Sequence, residues 1–211
     1  LIYPLLYNGP INYFARLVRE QVIVLEQFEN YTKQTYRNRC MIMGSNRVLT
    51  LSVPVKRLRG IKTLFRDIRI DYDTPWNRIH WKSLVAAYSS SPYFDYTADD
   101  LAPCYEDKYE FLVDLNQELL DKTLDIIGLK LHTRLTGSYV PILGAEDPRV
   151  FLHPKLDTSI ADPAFIPVEY HQVFDNHQGF RANLSILDLL FNEGPNCVSL
   201  LKRSLKTEFP W

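Results

Sequence analysis

Between Arg39 and Val55 the sequence reads RCMIMGSNRVLTLSVPV, two alternating apolar runs on either side of Gly44-Ser45-Asn46. A period of two means that successive side chains leave opposite faces of an extended chain. The three residues between the runs have the chemistry of a tight turn. The stretch therefore predicts an antiparallel hairpin, with Leu49, Leu51, Val53 and Val55 on one face. Pro54 has no amide hydrogen and marks an edge or the end of pairing. Short strands are also expected at Leu1–Leu6, Gln21–Leu25, Ile68–Ile70 and Leu129–Leu135.

Elsewhere the apolar period turns helical. Helices are expected over Ile11–Arg19, from Pro75 to about Ser89, and over Pro103–Ile127 with Gly128 as its stop. Another should start at Ser185 and end at Gly194-Pro195, and a last one should cover Cys197–Lys206. Ser185 and Asp188 have capping-box spacing, with Leu184 and Leu189 at the staple positions. Residues 136–165 read as a long irregular segment that is partly packed. No linker-like composition or internal repeat divides the chain. The expected fold is α+β: a single mixed domain over residues 1–211, with an N-terminal hairpin-containing sheet packed by helices.

Composition excludes several classes. Basic and acidic residues number 24 and 25, for a net charge of -1, so bulk charge gives no reason to expect a polyanionic partner. The segment Lys56–Arg69 is dense in positive charge around Phe65. Without a helix-turn-helix, zinc or glycine-rich single-strand motif, it does not outweigh the balanced total, and nucleic acid is not an expected partner. Three scattered cysteines, Cys40, Cys104 and Cys197, point to a reducing compartment rather than a disulfide scaffold. The histidines lack zinc-site spacing, and no dinucleotide or P-loop motif occurs. No metal or cofactor is expected. With no 18-residue apolar run and no signal-like start, the expected location is cytoplasmic.

Several blocks carry a family resemblance: YxKxxYRNRCxI at Tyr31–Ile42, LxVPV at Leu51–Val55, WxRxHWKSLxxAY at Trp76–Tyr88, and NLSILDLLFNEGP at Asn183–Pro195. The opening LIYPLLYNGPINYFARL fits as well. In order and spacing the chain resembles the WbqC-like family, found with bacterial surface-polysaccharide genes. The resemblance implies a role in O-antigen synthesis, with acyl or aminoacyl transfer to an amino sugar as a suggested activity. It carries no family-wide mechanism.

Three polar clusters are candidates for chemistry. In KQTYRNRCMIM an extended backbone would place Arg37, Arg39, Met41 and Met43 on one face, with Tyr31 and Lys33 at the same parity and Asn38 opposite. Two adjacent guanidiniums repel unless an anion or a carboxylate lies against them, and Arg grips phosphate or carboxylate bidentately. The ordinary alternative is pairing with Asp67 or Asp71. On the helix after Pro75, Trp76, His80, Leu84 and Tyr88 recur at i,i+4. An imidazole between Trp76 and Trp81 could serve as a general base, or sit satisfied in the core. Within GAEDPRVFLHPK, Asp147 could orient an imidazole or amine and Arg149 could bind phosphate, or the two could simply pair. His171 and Asp175 are spaced to pair if helical. Cys40 reads as a packed thiol and Asn116 as a buried amide.

Taken together these residues suggest a transferase acting on an amino sugar or nucleotide-linked sugar. His80 and Asp147 would be catalytic, and Tyr31, Lys33, Arg37, Asn38, Arg39, Arg149 and His171 would bind substrate. Asn38 or a backbone amide would stabilise the oxyanion. The alternative is a non-catalytic accessory protein that binds a sugar or a partner of the same pathway.

Overall fold

The N-terminal chain alternates strand, helix and strand. Ile2–Pro4 (β1) and Val22–Glu26 (β2) are joined through the helix Ile11–Leu17 (α1). Parallel neighbours need a crossover of this kind, because a tight turn can only join antiparallel ones. β1 and β2 pair in parallel, Tyr3 opposite Leu25. The hairpin forms from Arg39–Met43 (β3) and Val48–Ser52 (β4), with Cys40 opposite Leu51 and Ile42 opposite Leu49, although its second strand stops at Ser52 and Val55 bridges Ile70 instead. Far along the chain, His132–Leu135 (β5) returns to flank β2, again in parallel. The computed structural model describes residues 1–56 and 62–206. The basic run from Lys56 to Arg69 therefore lies partly outside the described residues.

The hairpin does not extend the first sheet. The described residues form two sheets, β1-β2-β5 and β3-β4. Helices cover them: Trp76–Tyr88 (α2), Phe94–Leu101 (α3), Pro103–Glu106 (α4), Leu112–Ile126 (α5), then single turns at Pro148–Phe151 (α6), Thr158–Ala161 (α7) and Asp175–Gln178 (α8), and finally Ile186–Glu193 (α9) and Cys197–Arg203 (α10). The fold is α+β. One contiguous apolar cluster runs from Tyr3 to Leu205 through both sheets and the longer helices.

Two departures from expectation have clear causes. The helix expected over Pro103–Ile127 is broken between Glu106 and Leu112. There Glu110 and Leu112 hydrogen-bond across to residues near Ile68: the Ile70 amide donates to Glu110 and the Leu112 amide to Ile68. Arg69 and Phe111 form an antiparallel bridge. A tertiary strand-like pairing thus outcompetes a local helical pattern. The short strand expected at Ile68–Ile70 exists only as such bridges, here and between Val55 and Ile70.

The capping box at α9 is half-formed. The Ser185 hydroxyl accepts from the Leu187 amide at 3.3 Å. The Ser185 amide, which the Asp188 carboxylate would have reached back to, already donates to the Met41 carbonyl of β3. Asp188 is therefore free to turn inward. α9 ends as expected at Gly194, with φ +48°. A side chain there would also strike the Tyr93 ring, which lies 2.4 Å from the position of a Cβ.

Three wholly buried carboxylates tie distant segments to the core. Glu26, on β2, accepts from the Val140 amide at 2.8 Å and the Thr136 hydroxyl at 3.1 Å. Asp162 accepts from Arg16 and from Asn12, and Asp188 accepts from Tyr88, Tyr170 and Gln172. A carboxylate buried without such partners would cost several kcal/mol, roughly 3–5 when one partner is removed. The long 136–165 segment is packed because Glu26 and Asp162 hold it.

Candidate functional site

The residues expected to form a site are only partly brought together: Arg37 and Arg39 lie near the loop that carries Asp147, Arg149 and His153, while His80 and His171 are hydrogen-bonded to other partners, Tyr7 and Asp175. Arg37 is buried, and its Nε donates to Glu29 at 2.6 Å. Its counter-charge is therefore Glu29 rather than Asp67 or Asp71. Residues 27–31 run beside 63–66, with the Tyr31 amide donating to Thr63 and the Phe65 amide to Glu29, which brings Glu29 under Arg37. Tyr31 packs at the core margin and Lys33 is exposed. The Asn38 amide nitrogen donates to the Val53 carbonyl at 2.9 Å, so it braces the end of the hairpin. Arg39 is half-buried, with an Nε that meets no hydrogen-bond partner among the described residues.

His80 is buried on the inner stripe of α2, at 4% exposure. Its Nδ1 is hydrogen-bonded to the Tyr7 hydroxyl at 2.8 Å, and Trp76 meets it edge-on at 5.1 Å. The second indole, Trp81, turns to Tyr105 and Phe94 instead. Burial pushes the His80 imidazole down to about 4, opposed only by a hydrogen bond with the Ser52 backbone. Such a group is neutral at pH 7 and almost wholly covered by its neighbours.

Asp147 caps α6 and accepts from the Arg149 Nε at 2.9 Å. Arg149 also donates to the Val140 carbonyl at 2.6 Å and reaches Glu26 at 3.6 Å. This cluster locks the loop onto β2. His171 and Asp175 do pair, at 2.9 Å, on an exposed surface. All three thiols are buried, and burial pushes Cys40 and Cys197 up to about 12 and Cys104 to about 11, far from thiolate reactivity. Asn116 donates to the Arg37 carbonyl at 2.8 Å, as a buried amide should.

The concave surface lies on the other side of α2. A cavity of about 530 Å³ opens between the start of that helix and the Tyr105–Lys108 segment, within the roughly 300–1,000 Å³ of small-molecule sites. Tyr72, Trp81 and Tyr105 supply its aromatic walls. Arg78, Lys82 and Lys108 supply cations, and Glu106 a carboxylate. Asn77, Arg78, Trp81 and Lys82 repeat at i, i+1, i+4 and i+5, one face of the helix adjoining the buried Trp76-His80-Leu84 stripe. The signal was therefore present within WxRxHWKSL, in its polar positions rather than in its histidine.

The walls are held in place. The Tyr109 amide donates to the Tyr72 hydroxyl at 3.0 Å, and the Tyr72 ring lies 5.7 Å from that of Trp76. The Asn77 side chain donates to the Tyr105 carbonyl at 2.7 Å. Lys108 Nζ sits 5.6 Å over the Tyr72 ring. Among the described residues, Arg78, Lys82 and Lys108 make no ion pair. The cleft is thus a fixed aromatic concavity with excess positive charge, in a chain whose net charge is -1. No group of three or more histidine, cysteine or acidic residues could hold a metal among the described residues. No helix among them is long and apolar enough to cross a membrane.

The chain is 28% identical over 212 residues to the uncharacterized protein Rv1507c of Mycobacterium tuberculosis, covering 90% of this chain and 91% of that protein. No solved structure matches it. The model of the WbqC-like protein family matches residues 7–153, a span that contains the hairpin, α2 and every wall of the cleft. The chain belongs to the WbqC-like protein family.

Proposed function

We propose that this protein binds a phosphorylated sugar, of the amino-sugar or nucleotide-linked class, as a component of surface-polysaccharide biosynthesis. One observation carries the reading. The partly exposed rings of Tyr72 and Trp81, with buried Tyr105 behind them, and three cations that make no ion pair among the described residues line one cavity of about 530 Å³. Ring faces accept the flat apolar side of a sugar or base, while Arg and Lys meet phosphate oxygens through charge-assisted hydrogen bonds. Because the walls are already braced, binding loses little to reorganisation.

Binding without turnover is the form the geometry supports best. The groups expected for acyl or aminoacyl transfer are engaged elsewhere: His80 with Tyr7, Asp147 with Arg149 and Asn38 with Val53. A transfer reaction would have to draw on Glu106, the carboxylate on the cleft wall. Glu106 could take a proton from an attacking amine, and Glu106→Gln would then abolish turnover while sparing affinity.

Isothermal titration calorimetry with a panel of nucleotide sugars and hexose phosphates tests the proposal. Arg78→Ala and Lys82→Ala should each weaken binding about tenfold, as expected for loss of one charge-assisted contact of roughly 1.5 kcal/mol. Melting temperature should not change, since both side chains are exposed. Binding that ignores both substitutions would remove the cleft from consideration.

A further inference from the structure

A second hollow, of about 280 Å³, adjoins the cleft and is lined by Lys56, Arg69, Ile70, Tyr109 and Glu110 together with Tyr72 and Lys108. Those last two residues also line the larger cavity. Resting on the cleft reading, we infer that the ligand is bipartite: a ring-bearing part fills the larger cavity, a second polar part fills the smaller hollow, and a bridging phosphate or diphosphate crosses the shared rim at Lys108. The ligand class is then a nucleoside diphosphate joined to a sugar, rather than a simple sugar phosphate.

The charges are placed for such a molecule. Lys108 stands at the junction, its amine over the Tyr72 ring and without an ion pair among the described residues. Lys56, in the smaller hollow, is likewise without an ion pair among them, as are Arg78 and Lys82 in the larger cavity. Cations thus occur at the joint and on both sides of it, where the negative charge of a diphosphate lies between two neutral rings. Arg69 differs. It is paired with Glu110 and lies 4.9 Å over the Phe111 ring, so its charge is already matched within the protein. Tyr72 separates the two spaces, and the Tyr109 amide holds its hydroxyl in place. A ligand long enough to engage both sides gains from each at a single cost of association, which multiplies affinity.

The experiment is calorimetric titration of the intact protein with three kinds of probe: nucleoside monophosphates, hexose phosphates, and the corresponding nucleoside diphosphate hexoses of the uridine, guanosine and thymidine series. The inference expects at least one linked compound to bind about 10- to 100-fold more tightly than either of its halves. It also expects Lys56→Ala, Lys82→Ala and Lys108→Ala each to lower that affinity about tenfold, at unchanged melting temperature. A linked compound no tighter than its better half, or one indifferent to Lys56→Ala, confines the ligand to the larger cavity. That result overturns this inference while leaving the cleft reading intact. If no probe binds, or binding is indifferent to Lys82→Ala, the cleft reading falls and this inference falls with it.

Discussion

Arg37 and Arg149 sit under the surface, each holding a carboxylate, whereas Arg78, Lys82 and Lys108 stand in the open around a concave aromatic wall, paired with none among the described residues. The first set solves a problem of the fold. Irregular backbone crossing the core needs polar anchors, and Glu26, Glu29 and Asp147 each have a guanidinium lying against them. The second set solves no such problem, since exposed cations gain little from the fold. Their grouping in a cavity is what supports the proposal of a ligand. Charge density in the sequence does not separate the two sets. The presence or absence of a carboxylate across the contact does.

The largest effect should come from breaking the buried set. Arg149→Met leaves Glu26 buried without its cation and should cost about 3–5 kcal/mol. For a chain of this size that lowers the melting temperature by roughly 10 °C, measured by calorimetry. A loss below about 1 kcal/mol would mean that Arg149 is not the loop's anchor.

Next comes the buried stripe of α2. Burial lowers the folded-state pKa of His80 from 6.5 to about 4, so below pH 6.5 the unfolded chain binds a proton that the folded chain refuses. Stability should therefore be flat above pH 6.5, fall as pH drops from 6.5 to 4, and level off below, with a total of about 3 kcal/mol from this residue. Urea unfolding of wild type and His80→Gln across that range isolates the term, because the variant should lose this part of the slope. Parallel curves would show that the imidazole is not shielded from water as its position implies.

A somewhat smaller effect is expected at Asp188, the carboxylate that turned away from its capping box. Burial raises its pKa, opposed by hydrogen bonds from Tyr170, Tyr88 and Gln172. Tyr88→Phe removes the donor at 2.7 Å and the acceptor used by the Met43 amide. About 1.5–3 kcal/mol should be lost on denaturant unfolding. A neutral result would mean that water replaces the hydroxyl.

The smallest stability effect belongs to the cleft. Arg78→Ala and Lys82→Ala should move stability by no more than about 0.5 kcal/mol. Ligand binding there should nonetheless weaken as ionic strength rises from about 0.01 M to about 0.15 M, where the screening length shrinks from about 30 Å to about 8 Å. The Arg149 network, out of water, should be nearly indifferent to the same change. Salt-insensitive binding would argue that the cations play no part in recognition.

Much of the local structure was legible in advance. The hairpin at Arg39–Val55, the helix after Pro75, and the stops at Gly128 and Gly194 follow from period, turn chemistry and left-handed backbone, all of which act within a few residues. The packed thiols and the buried Asn116 amide also agree with the reading from sequence. The candidate site was legible only in part. WxRxHWKSL was singled out for its histidine, yet its positions 77, 78, 81 and 82 form the cleft face. A helix has two sides, and the pattern alone does not say which cavity either one faces.

The amino-acid pattern alone decides α+β class, the turns, the helix ends and the family, because backbone preference and apolar period are short-range properties. Tertiary structure alone decides that the hairpin stands apart from the parallel sheet, and that the Pro103–Ile127 helix yields to pairing at Ile68–Ile70. It alone gives Arg37 to Glu29, Arg149 to Glu26, and Asp188 to two tyrosines and a glutamine. Most of these partners lie far apart in the chain. A charge becomes anchor or ligand contact according to what is buried against it, and burial is a property of the packed whole.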